Sequence, residues 1–481
     1  MLIYGLKLAL FIVFSMACFV AVNHRIFISG FGRQALIFWV SILPFIFLIH
    51  NETLTLLVAI PLLVLLNKEH SPVIAIAFFI AIVSAVPDWV EYRMSAPGIN
   101  HLLVLSFDKV AVLSILCPLL FMAFKQYKIS WNLTDGLVLA FVVLTTLLTF
   151  REGKFTTVLR YFVDSMLTYA IPYFVMSRII RTDKDMHYCS LAFVIAAVLL
   201  ASVFIISQVI KIDIYEALNP RSRYNMLREF RGGFLRLSGP LSGVLVSFLM
   251  LAGFLALEML KKYRFIPLAV YFLLLGAFAL SVLFGGSRAG LFGFIMGVGM
   301  YFYFLRLQGA QRVICSALLV LFMVLEFTLD ITSFFVYEDE YGTFDYRSSL
   351  YDTAWLYLQQ HPLFGSPFYL TSGYFDHLVT GLGIIDIVSA YLQIALQYGY
   401  VGLALFVGIY LSVIIPLLKQ VMLGYDPNND RDRYIIMYLI LNVVMAFILV
   451  TTSMISLFPI FMMASLALGR SLLVAEPRVP G

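Results

Sequence analysis

Residues 188–210 read YCSLAFVIAAVLLASVFIISQVI, a stretch without one Asp, Glu, Lys or Arg. An α-helix rises about 1.5 Å per residue, so roughly 20 apolar residues cross the ~30 Å hydrocarbon core of a bilayer. A run of this length and polarity reads as a membrane span. The rest of the 481-residue chain repeats it, with 62% of residues apolar and 12% charged. Soluble domains carry about 25% charged residues, so a soluble enzyme is excluded. Apolar blocks fall at 2–23, 35–50, 53–66, 71–87, 109–124, 134–150, 157–178, 188–210, 241–260, 265–285, 289–306, 313–335, 400–418, 434–452 and 456–472, giving about 13–15 spans. Blocks of this length select helices, whereas a spanning barrel needs short alternating segments. The predicted fold is an all-α polytopic transmembrane helical bundle with a large, partly helical external loop. Cys18, Cys117, Cys189 and Cys315 all lie inside apolar blocks, which argues against disulfide or thiolate-metal chemistry. The first block is long and no small-x-small site follows it, so it reads as a span and not a leader.

Basic residues orient the bundle. Lys125 and Lys128, then Arg178, Arg181 and Lys184, then Lys261, Lys262 and Arg264, then Arg306 and Arg312, then Lys419, Arg431 and Arg433 occupy alternate connections. The positive-inside rule places these, and the C-terminus, in the cytoplasm. The expected organisation is 1–210 N-terminal helices, 211–240 an external arginine-rich loop, 241–335 further helices, 336–399 a large external loop, and 400–481 C-terminal helices with a short cytoplasmic tail. The first loop breaks the charge rule with Arg221, Arg223, Arg228, Arg231 and Arg236, and it has no lysine among them. Arginine is favoured over lysine where a planar fork grips phosphate or carboxylate. The competing reading is a solvated loop whose charges bind nothing.

The second loop is long enough to fold. It begins with an acidic, aromatic run from Tyr337 to Arg347, then shows a capping pattern at Ser349 and Asp352 with Leu350, Ala354, Trp355 and Leu358 at helical spacing. His361, Pro362 and Gly365 break that helix, a Gly/Ser/Tyr-rich stretch covers 366–383, and a helical lead-in over 387–398 ends at Gly399. Its aromatic content argues against disorder.

Three local patterns sit at the outer ends of spans. Arg236-Leu-Ser-Gly239-Pro240 opens one span, and Gly285-Gly-Ser287-Arg288-Ala-Gly290 joins two others. Arg347 is followed by Trp355, His361-Pro362-Leu-Phe-Gly365, Tyr391-Leu392-Gln393 and Gly399-Tyr-Val-Gly402. In order, spacing and common external placement these patterns resemble the O-antigen ligase and Wzy-type polysaccharide polymerase superfamily over about residues 220–415. The N-terminal half shares only its hydropathy with that family.

The resemblance implies a glycosyltransferase-type reaction without cofactor or metal, in which a glycan leaves undecaprenyl diphosphate at the periplasmic face of a bacterial inner membrane. The implied partners are that lipid-linked glycan and inner-membrane lipids, with a flippase and chain-length or export proteins possible neighbours and no nucleic acid. Arg288, at a glycine-flanked helix start, is the leading diphosphate contact. Snorkelling to headgroups is the alternative. Arg236 has an equivalent placement, and Arg347 is a third contact unless it pairs with Glu338, Asp339 or Asp345. Arg228 and Arg160 complete the set, although Asp164 stands one helical turn from Arg160 and a mutual ion pair is the simpler reading. Glu258, Glu326 and Asp330 near span ends read as solvated. Tyr341, Tyr346, Trp355 and Tyr374 are candidate sugar contacts, with Tyr369 beside them, or else the loop's own core. Ligases carry a His-Asn pair before the post-loop helix, where this chain has Val388 and Ser389, which favours a polymerase of oligosaccharide repeat units. The general base expected in its place is Asp386, kept ionised by nearby arginines, or else His377. The alternatives are an O-antigen ligase, a lipid-linked oligosaccharide flippase, or a noncatalytic assembly subunit. Distinctive residues gathered on one face, without repeated halves, disfavour a transporter.

Overall fold

A computed structural model of the chain describes residues 30–46, 51–68, 71–87, 89–96, 99–126, 131–153, 155–215, 230–231, 233–261, 267–307, 311–312, 314, 343–380, 383–454 and 457–474. The apolar blocks within these residues fold as helices. Helix α1 spans Gly30–Pro44, α2 Glu52–Asn67 and α3 Pro72–Ile82. A hairpin of β1 (Glu91–Ala96) and β2 (Ile99–Ser106) follows, antiparallel with Glu91 opposite Ser106. Then come α4 (Phe107–Ala111), a π-helical turn Val112–Leu116, α5 (Cys117–Gln126) and α6 (Leu133–Leu148). Next are α7 (Phe155–Ser165), a second π turn Met166–Ala170, α8 (Ile171–Ile179) and α9 (Asp183–Ile210). After the short pair β3 (Phe230–Arg231) and β4 (Phe234–Leu235) the chain forms α10 (Gly243–Leu260), α11 (Leu268–Phe284) and α12 (Arg288–Leu305). The large loop contributes α13 (Thr343–Gln360), and α14 (Ala390–Met422), α15 (Asp430–Ile448) and α16 (Phe458–Val474) close the bundle.

Among the described residues, six helical stretches are long and apolar enough to cross a membrane: Phe107–Lys125, Leu133–Glu152, Asp183–Ile210, Gly243–Leu260, Arg288–Leu305 and Ala390–Met422. Shorter apolar helices, such as α3, account for several of the remaining blocks. The expected spans at 2–23 and 313–335 lie outside the described residues. The hairpin over 91–106 was not expected, although Pro97-Gly98 is a turn signal in the sequence.

Helices α9 and α10 form the centre. A capping box between Thr182 and Asp185 starts α9, and its apolar surface runs all round, as in a helix enclosed on every side. It packs on α3, α10 and α11, while α10 also meets α12 and α15. Helix α15 in turn contacts α14, and α14 contacts α6, so the sequence of neighbours runs α12, α15, α14, α6.

Two charges, Arg178 placed in a connection and Glu258 read as solvated, are interior. Arg178 is buried, and its Nη2 donates to Asp135 Oδ2 at 2.5 Å while Nη1 donates to Oδ1 at 3.1 Å. Asp135 Oδ1 also accepts from the Tyr173 hydroxyl at 2.9 Å. Glu258 is buried too, accepting from the Tyr301 hydroxyl at 2.6 Å and from Arg306 at 3.3 Å. A carboxylate at a span end is retained inside when neighbouring helices supply donors, because unpaired burial costs far more. Glu326 and Asp330 lie outside the described residues.

Candidate functional site

Residues 343–380 and 383–389 fold into a cap over the start of α14. Leu350, Ala354, Tyr357 and Leu358 of α13 pack with Tyr369, Phe375, Leu378 and Ile387 and with Leu392, Ala395 and Leu396 of α14, forming a small core apart from the main one. Helix α13 begins at Thr343, so Ser349 is not its cap; the Ser349 carbonyl instead accepts from the Thr353 hydroxyl at 2.7 Å, inside the helix.

The His361–Gly365 motif and Gly399 are two halves of one device. At Gly399 (φ 69°, ψ −170°) α14 breaks between its lead-in and its long apolar part. The break frees backbone groups that the motif satisfies: Ser366 N donates to Leu396 O at 2.9 Å, Tyr400 N to Pro362 O at 2.8 Å and Val401 N to Leu363 O at 3.2 Å. The backbones approach so closely that a Cβ on Gly365 would collide with Leu396 O, and one on Gly399 with the Leu363 carbonyl group. Arg151 completes the joint. Its Nη1 donates to Gly365 O at 2.7 Å and Phe364 O at 3.1 Å, and its Nη2 donates to Gln397 O at 3.1 Å. A cation at the C-terminal carbonyls of the lead-in also suits the helix dipole. Sequence reasoning did not single out Arg151, since an arginine at a span end carries no signal that its partners lie more than two hundred residues away.

The arginine motifs meet at a second place on the bundle. Leu237 N donates to Phe284 O at 2.9 Å, tying the return of the first loop to the end of α11. Asp213 Oδ2 accepts from Ser238 N at 2.6 Å and Gly239 N at 3.2 Å, tying it to the end of α9. Arg236 thereby lies along Gly286, where an added Cβ would stand 3.0 Å from Arg236 Cγ. Gly286 has φ 59°, so its left-handed backbone and the passing side chain both require glycine. Two residues on, Arg288 opens α12 behind an N-cap in which Ser287 Oγ accepts from Gly290 N at 3.2 Å. Arg288 is exposed and has no hydrogen-bond or ion-pair partner among the described residues.

The remaining expected residues divide. Arg228 and Tyr341 lie outside the described residues, as do Arg221 and Arg223. Arg160 does not pair with Asp164, which forms its ion pair with Lys109 of α4. An interhelical partner has displaced the one a turn away. Arg347 is half-buried on α13 and acts electrostatically on Asp386. Tyr346, one residue earlier, fixes the same segment, its hydroxyl accepting from Asp386 N at 2.9 Å and donating to Asp386 O at 3.0 Å. The Asp386 side chain stays open to solvent, yet crowding raises its carboxyl above the ordinary range, and Arg347 offsets this only in part. Arg347 lowers it, as expected of a nearby arginine, but desolvation is the larger influence. His377 is exposed, with Nε2 3.2 Å from the Thr353 hydroxyl. Trp355 and Tyr374 are exposed, whereas Tyr369 belongs to the cap's core.

Both groups reach the turn after α15. Ala390 N donates to Leu449 O at 3.0 Å and Thr452 O at 2.8 Å, and the Tyr351 hydroxyl reaches Val450 O at 3.5 Å. On the other side, Gly293 of α12 packs against Ile448. The Asp386 segment and the Arg288 helix thus flank the same end of α15.

Residues 269–407 match the family model described as O-antigen ligase. No curated protein matches the chain. The matched stretch runs from α11 into α14 and contains Arg288, Arg347, the cap and Gly399, so the resemblance to the O-antigen ligase and Wzy-type superfamily rests on the residues whose geometry is described above. It points to enzymatic glycan processing of the ligase or polymerase type, in a multi-pass membrane protein.

Proposed function

With glycan processing of this type as the premise, we propose that the chain polymerises oligosaccharide repeat units carried on undecaprenyl diphosphate, at the periplasmic face of a bacterial inner membrane. The observation that carries this reading is Arg236 laid along Gly286 beside the exposed, unpartnered start of α12 at Arg288. Two guanidinium groups, one from the return of the first loop and one from the start of α12, and the free N–H groups of a helix start suit a diphosphate, which offers charge and several acceptor oxygens. As the glycosidic bond to the diphosphate breaks, negative charge grows on the leaving oxygens, and fixed cations stabilise it. Arg347 and Asp386 stand on the cap, across the α15 turn. Asp386 is the proposed base: it accepts the proton of the acceptor hydroxyl as that oxygen attacks the anomeric carbon. A carboxyl raised above its usual range is better matched to this task at neutral pH than an ordinary one. His377, bonded to Thr353, is the second candidate.

The ligase alternative is favoured by the description of the matching family. It differs only in the acceptor, another glycan or lipid in place of a second repeat unit. Purified protein in proteoliposomes with a lipid-linked repeat unit tests both: a ladder of longer lipid-linked products supports polymerisation. Transfer to an added non-repeat acceptor without a ladder supports ligation, and lipid movement without either rejects enzymatic transfer.

A further inference from the structure

The sugar-contact residues expected on the cap leave a second aromatic group unused. Tyr161 of α7, Tyr169 of the following π turn, Tyr369 of the cap and Tyr398 of α14 converge under the Arg151 joint. Tyr398 stands near Tyr169, Tyr161, Glu152 and Tyr369, and Tyr369 stands near Tyr161. Their rings stand on an aromatic floor, with Phe141 5.6 Å from Tyr169 and 6.4 Å from Tyr398, and Phe375 6.2 Å from Tyr369, measured between ring centres. Tyr161, Tyr169 and Tyr398 are half-buried, so this floor opens outward.

The hydroxyls of this group are open. Several tyrosine hydroxyls elsewhere are tied to the protein: Tyr173 to Asp135, Tyr301 to Glu258, Tyr215 to Ala85 O, Tyr391 to Ala446 O and Tyr346 to Asp386. None of the four converging hydroxyls forms a hydrogen bond with a described residue. Glu152 and Arg160 border them and likewise have no ion-pair partner among the described residues. A tyrosine offers an apolar face and a polar tip, and several such tips with a carboxylate and a guanidinium beside them match a ligand that is both CH-rich and hydroxyl-rich. That description fits a saccharide and not a lipid tail or a bare anion.

We infer that Tyr161, Tyr169, Tyr369 and Tyr398 line a binding cleft for the acceptor glycan, distinct from the arginine pair that faces the donor diphosphate. The inference rests on the proposed function and locates its second substrate. Helix α15 stands between the helices of the two sites, since it contacts both α12 and α14. The lead-in of α14 runs from Ala390, at the α15 turn, to Tyr398, about 12 Å away at 1.5 Å per residue. Asp386 lies just before the near end of that lead-in, so a saccharide held along the tyrosines would direct its terminal hydroxyl to Asp386 and, beyond it, to the donor side.

The test uses the full chain in nanodiscs and the lipid-free oligosaccharide released by mild acid from the producing cell's surface polysaccharide, followed by saturation-transfer NMR. Tyr161→Phe, Tyr369→Phe and Tyr398→Phe together keep every ring and remove three hydroxyls; unchanged thermal melting certifies the fold. The triple variant should bind the oligosaccharide on the order of tenfold more weakly. Arg288→Ala should bind it as the parent does. Equal binding by the triple variant overturns the cleft, and so does loss in Arg288→Ala matching that of the triple variant. Binding of the lipid-diphosphate donor is measured in the same preparation. No oligosaccharide binding by the parent while the donor still binds overturns the cleft and leaves the donor reading standing, whereas absence of both overturns the proposed function as well.

Discussion

Arg178 and Arg288 are used in opposite ways. Arg178 is buried and grips Asp135 through both terminal nitrogens, with Tyr173 on the same carboxylate. Its charge is spent inside the protein. Arg288 opens a helix next to another arginine, exposed and with no partner among the described residues. A guanidinium whose hydrogen-bonding capacity is consumed by the fold is structural, and one presented at a helix start with its capacity open is available to an anion. Arg151 stands between these cases, holding three backbone carbonyls to lock the cap.

Substitutions sharpen the contrast. Asp135→Ala strands the buried Arg178 charge and should lower stability by about 3–5 kcal/mol, read as a large fall in melting temperature. Arg288→Ala should leave the melting temperature almost unchanged, with a stability change within about 0.5 kcal/mol. Its glycan transfer, measured by product-ladder formation, should fall about 10²–10³-fold. An Arg288 variant that melts early with proportionate loss of transfer would erase the distinction. Arg151→Ala leaves three carbonyls without their charged donor and should loosen the cap locally by about 1–3 kcal/mol. Faster hydrogen exchange over residues 362–366 and 396–401, with the rest of the bundle unaffected, checks this.

The smallest effect is electrostatic. Burial raises the Asp386 carboxyl above its ordinary 3.8 and Arg347 lowers it. Transfer that needs ionised Asp386 should therefore fall as pH drops through that raised value. Removing Arg347 takes away a lowering influence, so Arg347→Ala should move the acidic limb of the pH profile to higher pH. Asp386→Asn should abolish that limb together with most of the activity. A limb unchanged in Arg347→Ala assigns it to another group.

The helical membrane architecture was legible because apolar runs near bilayer length have few other solutions. The motifs at 285–290, 361–365 and 399–402 were legible as motifs, and the structure supplies reasons for their glycines: Arg236 lies across Gly286, and Gly365 and Gly399 bring two backbones together. Pairing across the chain was not legible. Counting Arg178 as a loop cation could not foresee Asp135, and the helical proximity of Arg160 to Asp164 gave no sign that Lys109 would take the carboxylate. The four clustered tyrosines come from three separate segments, none of which is unusual alone. Local spacing encodes helices and turns, whereas partners are chosen by which helices pack together.

The central claim, that Arg236 and Arg288 hold a diphosphate, is tested most directly by equilibrium binding of a lipid-diphosphate-linked glycan to the full chain in nanodiscs. Arg236→Lys and Arg288→Lys keep the charge and lose the planar fork, so each should weaken binding at least about tenfold relative to the parent. Parent-like affinity in both variants would contradict the account and leave these arginines as snorkelling cations at the membrane surface.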